Sequence, residues 1–254
     1  MKLVRFKTNN NEAQYGWIHQ EKVGLIQGDP FGEFRRLEAT IILTDLELLL
    51  PCQPSKIIAV GRNYPEHAAE MNAVLPTYPL LFLKPPSALI TNGEYIQLPG
   101  QSKQVEHEAE LAIVVGKESK NLDEDNVKDA IFGYTIANDV TARDLQAIDG
   151  QWTRAKGFDS FCPLGPWIDT QFDPSDAMIS CHVNHALRQM GSTKEMTFKP
   201  EQLLIFISSI MTLYPGDVIL TGTPPGVGPL TDGDLVTVHI DGLGSLVNPV
   251  RKSE

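Results

Sequence analysis

Val105-Glu106-His107-Glu108-Ala109-Glu110-Leu111-Ala112-Ile113-Val114-Val115-Gly116-Lys117 is the stretch on which the reading of this chain turns. Three glutamates at alternate positions give way to an apolar run, Leu111–Val115, closed by Gly116 and Lys117. The run is short and rich in β-branched residues, which predicts a strand. On a strand, residues i and i+2 share a face, with Cα atoms roughly 6–7 Å apart. Glu108 and Glu110 therefore face the same way. A second apolar run of strand character, Ile131–Ala137, leads to Asp139. If the two strands are neighbours, three carboxylates converge. An all-oxygen donor set with no thiolate suits a hard cation, Mg²⁺ or Mn²⁺. The competing reading is a solvated strand face. Against it, the run after Glu110 is apolar on both faces, and an acid that ends an apolar run needs a partner. Glu106 shares the face as well, so spacing alone leaves open which acids bind the metal.

The whole chain sets limits on partners. It has 254 residues, 42% apolar and 21% charged, with a formal net charge of −11. That charge argues against nucleic acid and anionic membranes as partners. It does not bar an acidic substrate, because a bound dication reverses the local field. Cys52, Cys162 and Cys181 are odd in number and far apart. They read as small buried hydrophobes of a reducing compartment, not as a disulfide framework. No apolar run approaches the roughly 20 residues of a membrane span, and the segment from Met1 to Asn10 has no apolar core of signal-peptide length. The expected location is the cytoplasm.

Residues 1–52 read as a small β-rich domain, with short strands at Leu3–Phe6, Tyr15–Ile18 and Lys22–Ile26. Thr44 and Glu47 have the form of a capping box, which predicts a short helix through Leu50. A linker around Pro51–Ser55 then leads into residues 53–254. Lys56–Val60 is a buried type of strand ending at Gly61, followed by Arg62-Asn63-Tyr64-Pro65-Glu66-His67-Ala68-Ala69-Glu70-Met71. Pro65 suits the first turn of a helix. His67 and Glu70 then lie one turn apart, where a carboxylate orients the imidazole for proton transfer. The bland alternative is a surface pair on a short helix. Leu80–Leu83 is another strand, and Lys84 after it faces either a cavity or solvent.

Beyond Asp139, Thr141 is expected to cap a short helix, with Arg143 and Gln146 on one face. On its surroundings alone, Lys156 reads as reaching solvent. Cys181, His182 and His185 suggest zinc only superficially: Asn184 fits a hairpin turn, and a fourth ligand is lacking nearby. Gln202–Leu213 reads as an apolar helix. Thr221–Pro229, TGTPPGVGP, lacks the features of a phosphate-binding loop, although its amides and the Thr223 hydroxyl suit a carboxylate. The closing strands around Leu235–Ile240 and Gly244 are expected to complete the sheet.

GRNYPEHAAEM, HEAELAIVVGK, ANDVTARDLQ, WTRAKGFDSFCPLGP and LTGTPPGVGP, in that order, resemble the motifs of the fumarylacetoacetate hydrolase superfamily over about residues 56–250. The resemblance implies an α+β, predominantly β fold: a mixed β-sheet roll like the C-terminal domain of fumarylacetoacetase, behind the small N-terminal domain. It implies Mg²⁺ or Mn²⁺ on Glu108, Glu110 and Asp139, which decides against Glu106. It makes His67 and Glu70 a water-activating or proton-moving dyad on a lid. It sets Lys156 on the substrate oxygen, against the solvent reading. Substrate contacts fall to Arg62, Tyr64, Arg143, Gln146 and Thr223, and a homodimer is expected.

The chemistry so implied is that of an enzyme acting on small 2-oxo acids through a stabilised enolate. Oxaloacetate decarboxylation or tautomerisation and acylpyruvate hydrolysis are the leading forms. An isomerase or decarboxylase of 2-hydroxyhepta-2,4-diene-1,7-dioate type is the alternative. A non-catalytic metal- or carboxylate-binding relative is the alternative of another class.

Overall fold

The computed structural model describes residues 1–8 and 10–253. Most of the chain is sheet, as the predominantly β expectation requires. The main sheet runs in the order Phe34–Ile42, Lys22–Gly28, Ala13–His19, Lys2–Lys7, Cys162–Asp169, Ile131–Asn138, Ala109–Val115, Val218–Leu220, Ile57–Gly61, Leu80–Lys84. A second sheet orders Ala186–Ser192, Met178–Val183, Leu235–Ile240, Gly244–Lys252 and Ile96–Leu98. A small third sheet pairs Val105–His107 with Thr141–Ala142 and Gly228–Pro229. Four helices matter below: α1 Pro65–Glu70, α2 Arg143–Asp149, α3 Thr153–Lys156 and α4 Pro200–Ile210.

The central strand Ala109–Val115 is buried along its whole length, which is why its sequence shows no polar alternation. Ile113, Leu111 and Ile136 join one core with Ile179, Val238 and Leu246 of the second sheet and with Leu203, Leu204 and Ile207 of α4. Ala112, Val114 and Leu220 face a smaller cluster on the other side of the main sheet.

Four expectations are corrected. The helix expected between Thr44 and Leu50 is a single turn, Leu43–Asp45, followed by a short strand, Glu47–Leu48, that pairs with Phe6 and Lys7. Leu43, Leu46 and Leu48 pack on Val4, Phe6 and Val23, and this burial outweighs a local capping signal. The closing strands enter the second sheet, not the main one. The glutamate stretch is not one strand: Glu108 interrupts it between Val105–His107 and Ala109–Val115. Thr141 does not cap α2, which begins at Arg143 after Ala142. Its hydroxyl instead meets Glu108 Oε1 at 3.1 Å and the Asp139 carbonyl at 2.9 Å. The first four strands extend the main sheet, since Lys2 and Leu3 pair with Asp169 and Ile168.

The hairpin expected at Asn184 forms between Val183 and Ala186. Asn184 and His185 both take positive φ, +50° and +68°, as a tight two-residue turn requires. The three cysteines are buried and unpaired; burial pushes the thiols of Cys52, Cys162 and Cys181 up to about 12.

Candidate active site

The interruption at Glu108 builds the site. Its backbone N–H donates to the Asn138 side-chain oxygen at 2.9 Å, and its carbonyl accepts from the Asp139 N–H at 2.8 Å. The end of strand Ile131–Asn138 is thereby fastened to the break, and Asp139 arrives beside the glutamates. Carboxylate oxygens of Glu108, Glu110 and Asp139 lie within 4.8 Å of one another, all three buried. Glu106 goes elsewhere. It accepts from Arg143 Nε and Gln104 Nε2, each at 2.7 Å.

Cations surround the trio unevenly. Lys156 is 2% exposed and donates to Glu108 Oε2 at 2.8 Å and Asp139 Oδ2 at 2.7 Å, so it does not reach solvent. Lys84 is equally buried and meets Asp139 Oδ1 at 2.6 Å. Arg143 Nη2 meets Glu108 Oε1 at 2.7 Å. Burial resists ionising Glu108, yet Lys156 and Arg143 hold its carboxyl well below the usual carboxylate range. Burial also works against Lys156, but the charges of Asp139 and Glu108 keep its ammonium above the ordinary lysine value.

Glu110 differs. The Gly222 N–H reaches its Oε2 at 2.7 Å, and among the described residues no basic side chain lies within ion-pair distance of it. Burial, then the negative charges of Asp139 and Glu108, push its carboxyl well above the ordinary value. Such a group becomes a comfortable anion only beside added positive charge. A compact, buried, all-oxygen trio with one under-compensated member fits a hard dication.

The trio lies in a cavity of about 100 Å³, walled by His67, Phe82, Trp152 and Lys156. His67 Nδ1 sits 3.1 Å from Glu70 Oε2, while Glu70 Oε1 accepts from the Gly226 N–H at 3.0 Å. The dyad thus ties α1 to the Gly/Pro loop. Arg62, Arg143, Gln146 and Thr223 all line the cavity. Arg143 spends its nitrogens on Glu106, Glu108 and Gln146. The Thr223 hydroxyl donates to the Ala109 carbonyl at 2.9 Å and accepts from Gln189 at 2.7 Å. Tyr64 is the exception among the expected contacts. At 1% exposure it packs into the main core, and it borders a different hollow with Pro65 and Glu195. Its backbone is extended, as the following Pro65 requires.

Two contributors escaped sequence reasoning. Lys84 is separated from Asp139 by 55 positions, and only strand pairing brings it near. Gln189 is fully buried. Its oxygen accepts from Ala109 N–H at 3.0 Å and from His107 Nδ1 at 2.8 Å, and its amide donates to Thr223 Oγ1 and the Pro224 carbonyl. These bonds place the proton of His107 on Nδ1, and they hold the glutamate break against the Gly/Pro loop. A polar residue on a strand of alternating burial was the only local signal.

The sheets thus bring three buried acids into one cavity. Residues 56–251 match the family Fumarylacetoacetate (FAA) hydrolase C-terminal, and the chain belongs to that family; residues 1–51 match Rv2993c-like, N-terminal. It is an enzyme of this superfamily, whose named relatives are tautomerases, isomerases and hydrolases. The chain is 44% identical over 220 residues to the mitochondrial oxaloacetate tautomerase fahd2 of Xenopus laevis, covering 82% of this chain and 69% of that one. It shares 44% identity and a TM-score of 0.92 with the crystal structure of 5-carboxymethyl-2-hydroxymuconate delta-isomerase from Mycobacterium smegmatis, over the whole of both chains. Maleylpyruvate hydrolase from Sphingobium sp. SYK-6, solved with manganese(II) and pyruvate, is 30% identical with a TM-score of 0.82, again over both whole chains.

Proposed function

We propose that this enzyme acts on small 2-oxo acids, with oxaloacetate tautomerisation as its leading reaction and Mg²⁺ or Mn²⁺ held by Glu108, Glu110 and Asp139. The observation that carries the reading is the convergence of those three buried acids beside Lys156 and the His67–Glu70 dyad. When bound, the dication supplies a Lewis acid for the carboxylate and 2-oxo oxygens of the substrate. Three carboxylates, the ammonium groups of Lys84 and Lys156 and one dication leave a single positive charge, which favours an anion. Lys156 stabilises negative charge as it develops on the 2-oxo oxygen. His67, oriented by Glu70, moves the proton at C3. Phe82 and Trp152 limit the water around that carbon.

Likeness to the tautomerase supports proton transfer alone. The same residues serve carbon–carbon hydrolysis where His67 activates water, as in an acylpyruvate, and they serve loss of CO₂ from oxaloacetate. Isomerisation of longer hydroxy-dienoates is the second reading, supported by likeness to the Mycobacterium smegmatis isomerase. A cytoplasmic homodimer belongs to the same reading, and sedimentation tests the dimer. The deciding experiment is a substrate panel with added Mg²⁺: decay of oxaloacetate enol, pyruvate release from oxaloacetate, and acetylpyruvate cleavage. Enol decay above the metal-free rate is expected. Background rates in all three assays would overturn the reading.

A further inference from the structure

Tyr64 is 1% exposed, yet among the described residues nothing meets its hydroxyl. It borders a hollow of about 250 Å³ together with Pro65, Glu66, Glu195 and Pro225. None of these five residues lines the catalytic cavity. An unpartnered buried hydroxyl costs free energy that a partner arriving in the hollow recovers. Burial, then the negative charges of Glu110 and Glu195, push the phenol well above its ordinary value. The hydroxyl therefore keeps its proton, and it stands in the field of one carboxylate from the acid trio and one from the edge of the hollow.

That edge is acidic and uncompensated. Glu195 ends the single turn Thr193–Glu195, and its Oε2 accepts from the Ser192 N–H at 3.0 Å, which fixes the carboxylate in place. Glu66 is exposed on the first turn of α1. The basic groups close in sequence are engaged elsewhere: Lys194 with Asp176 at 3.2 Å, Lys199 with the Lys194 carbonyl at 2.6 Å, and His67 with Glu70. Among the described residues no basic side chain lies within ion-pair distance of Glu66 or Glu195. Pro65, Pro225 and the Tyr64 ring supply apolar walls. Apolar walls, carboxylates at the edge and a free hydroxyl oxygen suit a small organic cation that carries N–H donors.

We propose that this hollow binds a primary ammonium compound with a short apolar body. The ammonium donates to Glu195 and to Tyr64 Oη, and the hydrocarbon lies against the two prolines. Pro65 and Glu66 open α1, which carries His67 and Glu70, and Pro225 precedes Gly226, whose N–H donates to Glu70 at 3.0 Å. An occupant therefore braces the joint between α1 and the Gly/Pro loop, and it acts on the dyad from outside the catalytic cavity.

Calorimetric titration of the Mg²⁺-loaded enzyme with n-butylammonium chloride tests this, with n-butanol and tetramethylammonium chloride alongside. Loading with Mg²⁺ keeps the acid trio from competing for the ammonium. One butylammonium per chain is expected. Butanol has the same body without the charge and should bind roughly ten- to a hundredfold more weakly. Tetramethylammonium has the charge without an N–H and should also be weaker. Tyr64→Phe, which keeps the ring, and Glu195→Gln should each weaken butylammonium binding. Hydrogen exchange at the Gly226 amide should slow when the wild-type site is filled. Absence of saturable binding, with water alone serving the hydroxyl, would overturn the proposal. So would equal affinity for butanol, or affinity unchanged in both variants. Unaltered exchange at Gly226 would overturn the link to the dyad.

Discussion

Lys84 Nζ lies 2.6 Å from Asp139 Oδ1, with both side chains out of contact with water. Lys156 takes the other oxygen of the same carboxylate. Asp139 is therefore balanced by two ammonium groups, and removal of one leaves buried charge uncompensated. Lys84→Met is expected to destabilise the protein by about 3–5 kcal/mol, measured by urea unfolding. A change near zero would mean that the ion pair contributes nothing beyond its own desolvation.

The dyad separates catalysis from binding. His67→Asn should reduce turnover roughly 100- to 10,000-fold, the usual contribution of a general acid or base. Mn²⁺ affinity should stay near the wild-type value, because His67 is not among the clustered acids. Glu108→Ala should lose both turnover and metal. A binding module without catalysis would lose ligand only in the second variant, so the pair of variants distinguishes the two classes.

Glu110 gives a pH signature. Its folded pKa lies above the unfolded value, so in metal-free protein the unfolded state ionises first as pH rises. Stability is lost over that interval. Glu110→Gln should therefore raise the melting temperature of metal-free protein at pH 7. The gain should vanish below about pH 4, where the unfolded glutamate is neutral too. The same variant should abolish stabilisation by Mn²⁺. Scanning calorimetry across pH checks both signs, and a variant less stable than wild type at pH 7 without metal would contradict them.

Gln189 bonds His107 and Ala109 on either side of the break at Glu108 and holds it against the loop that carries Thr223. Gln189→Leu keeps the bulk but removes every one of its hydrogen bonds, so four buried partners lose their contact. Weaker Mn²⁺ binding is expected at temperatures where the variant remains folded. Unchanged metal affinity would show that the strands alone fix the break.

Local pattern made much of this molecule readable. The i, i+3 spacing of His67 and Glu70 after Pro65 became helix α1 with the two side chains in contact. The apolar run after Glu110 became the central strand of the main sheet. What stayed hidden depends on pairing between distant segments. Lys84 could not be assigned to cavity or solvent until its strand was placed, and Lys156 read as exposed because its three-residue context carries no sign of Glu108. The register that excludes Glu106 arises from a strand interruption that Asn138 and Gln189 create from elsewhere in the chain. The false helix near Thr44 shows the converse, a correct local motif overridden by leucines that pack on the first strand.

Titration of the metal-free protein with Mn²⁺, followed by the electron paramagnetic resonance of the free ion, addresses the acid trio most directly. One ion per chain should disappear from the free signal, with loss of that binding in each of Glu108→Gln, Glu110→Gln and Asp139→Asn and its retention in Glu106→Gln. No uptake by the wild-type protein, or uptake that survives all three substitutions, would contradict the account.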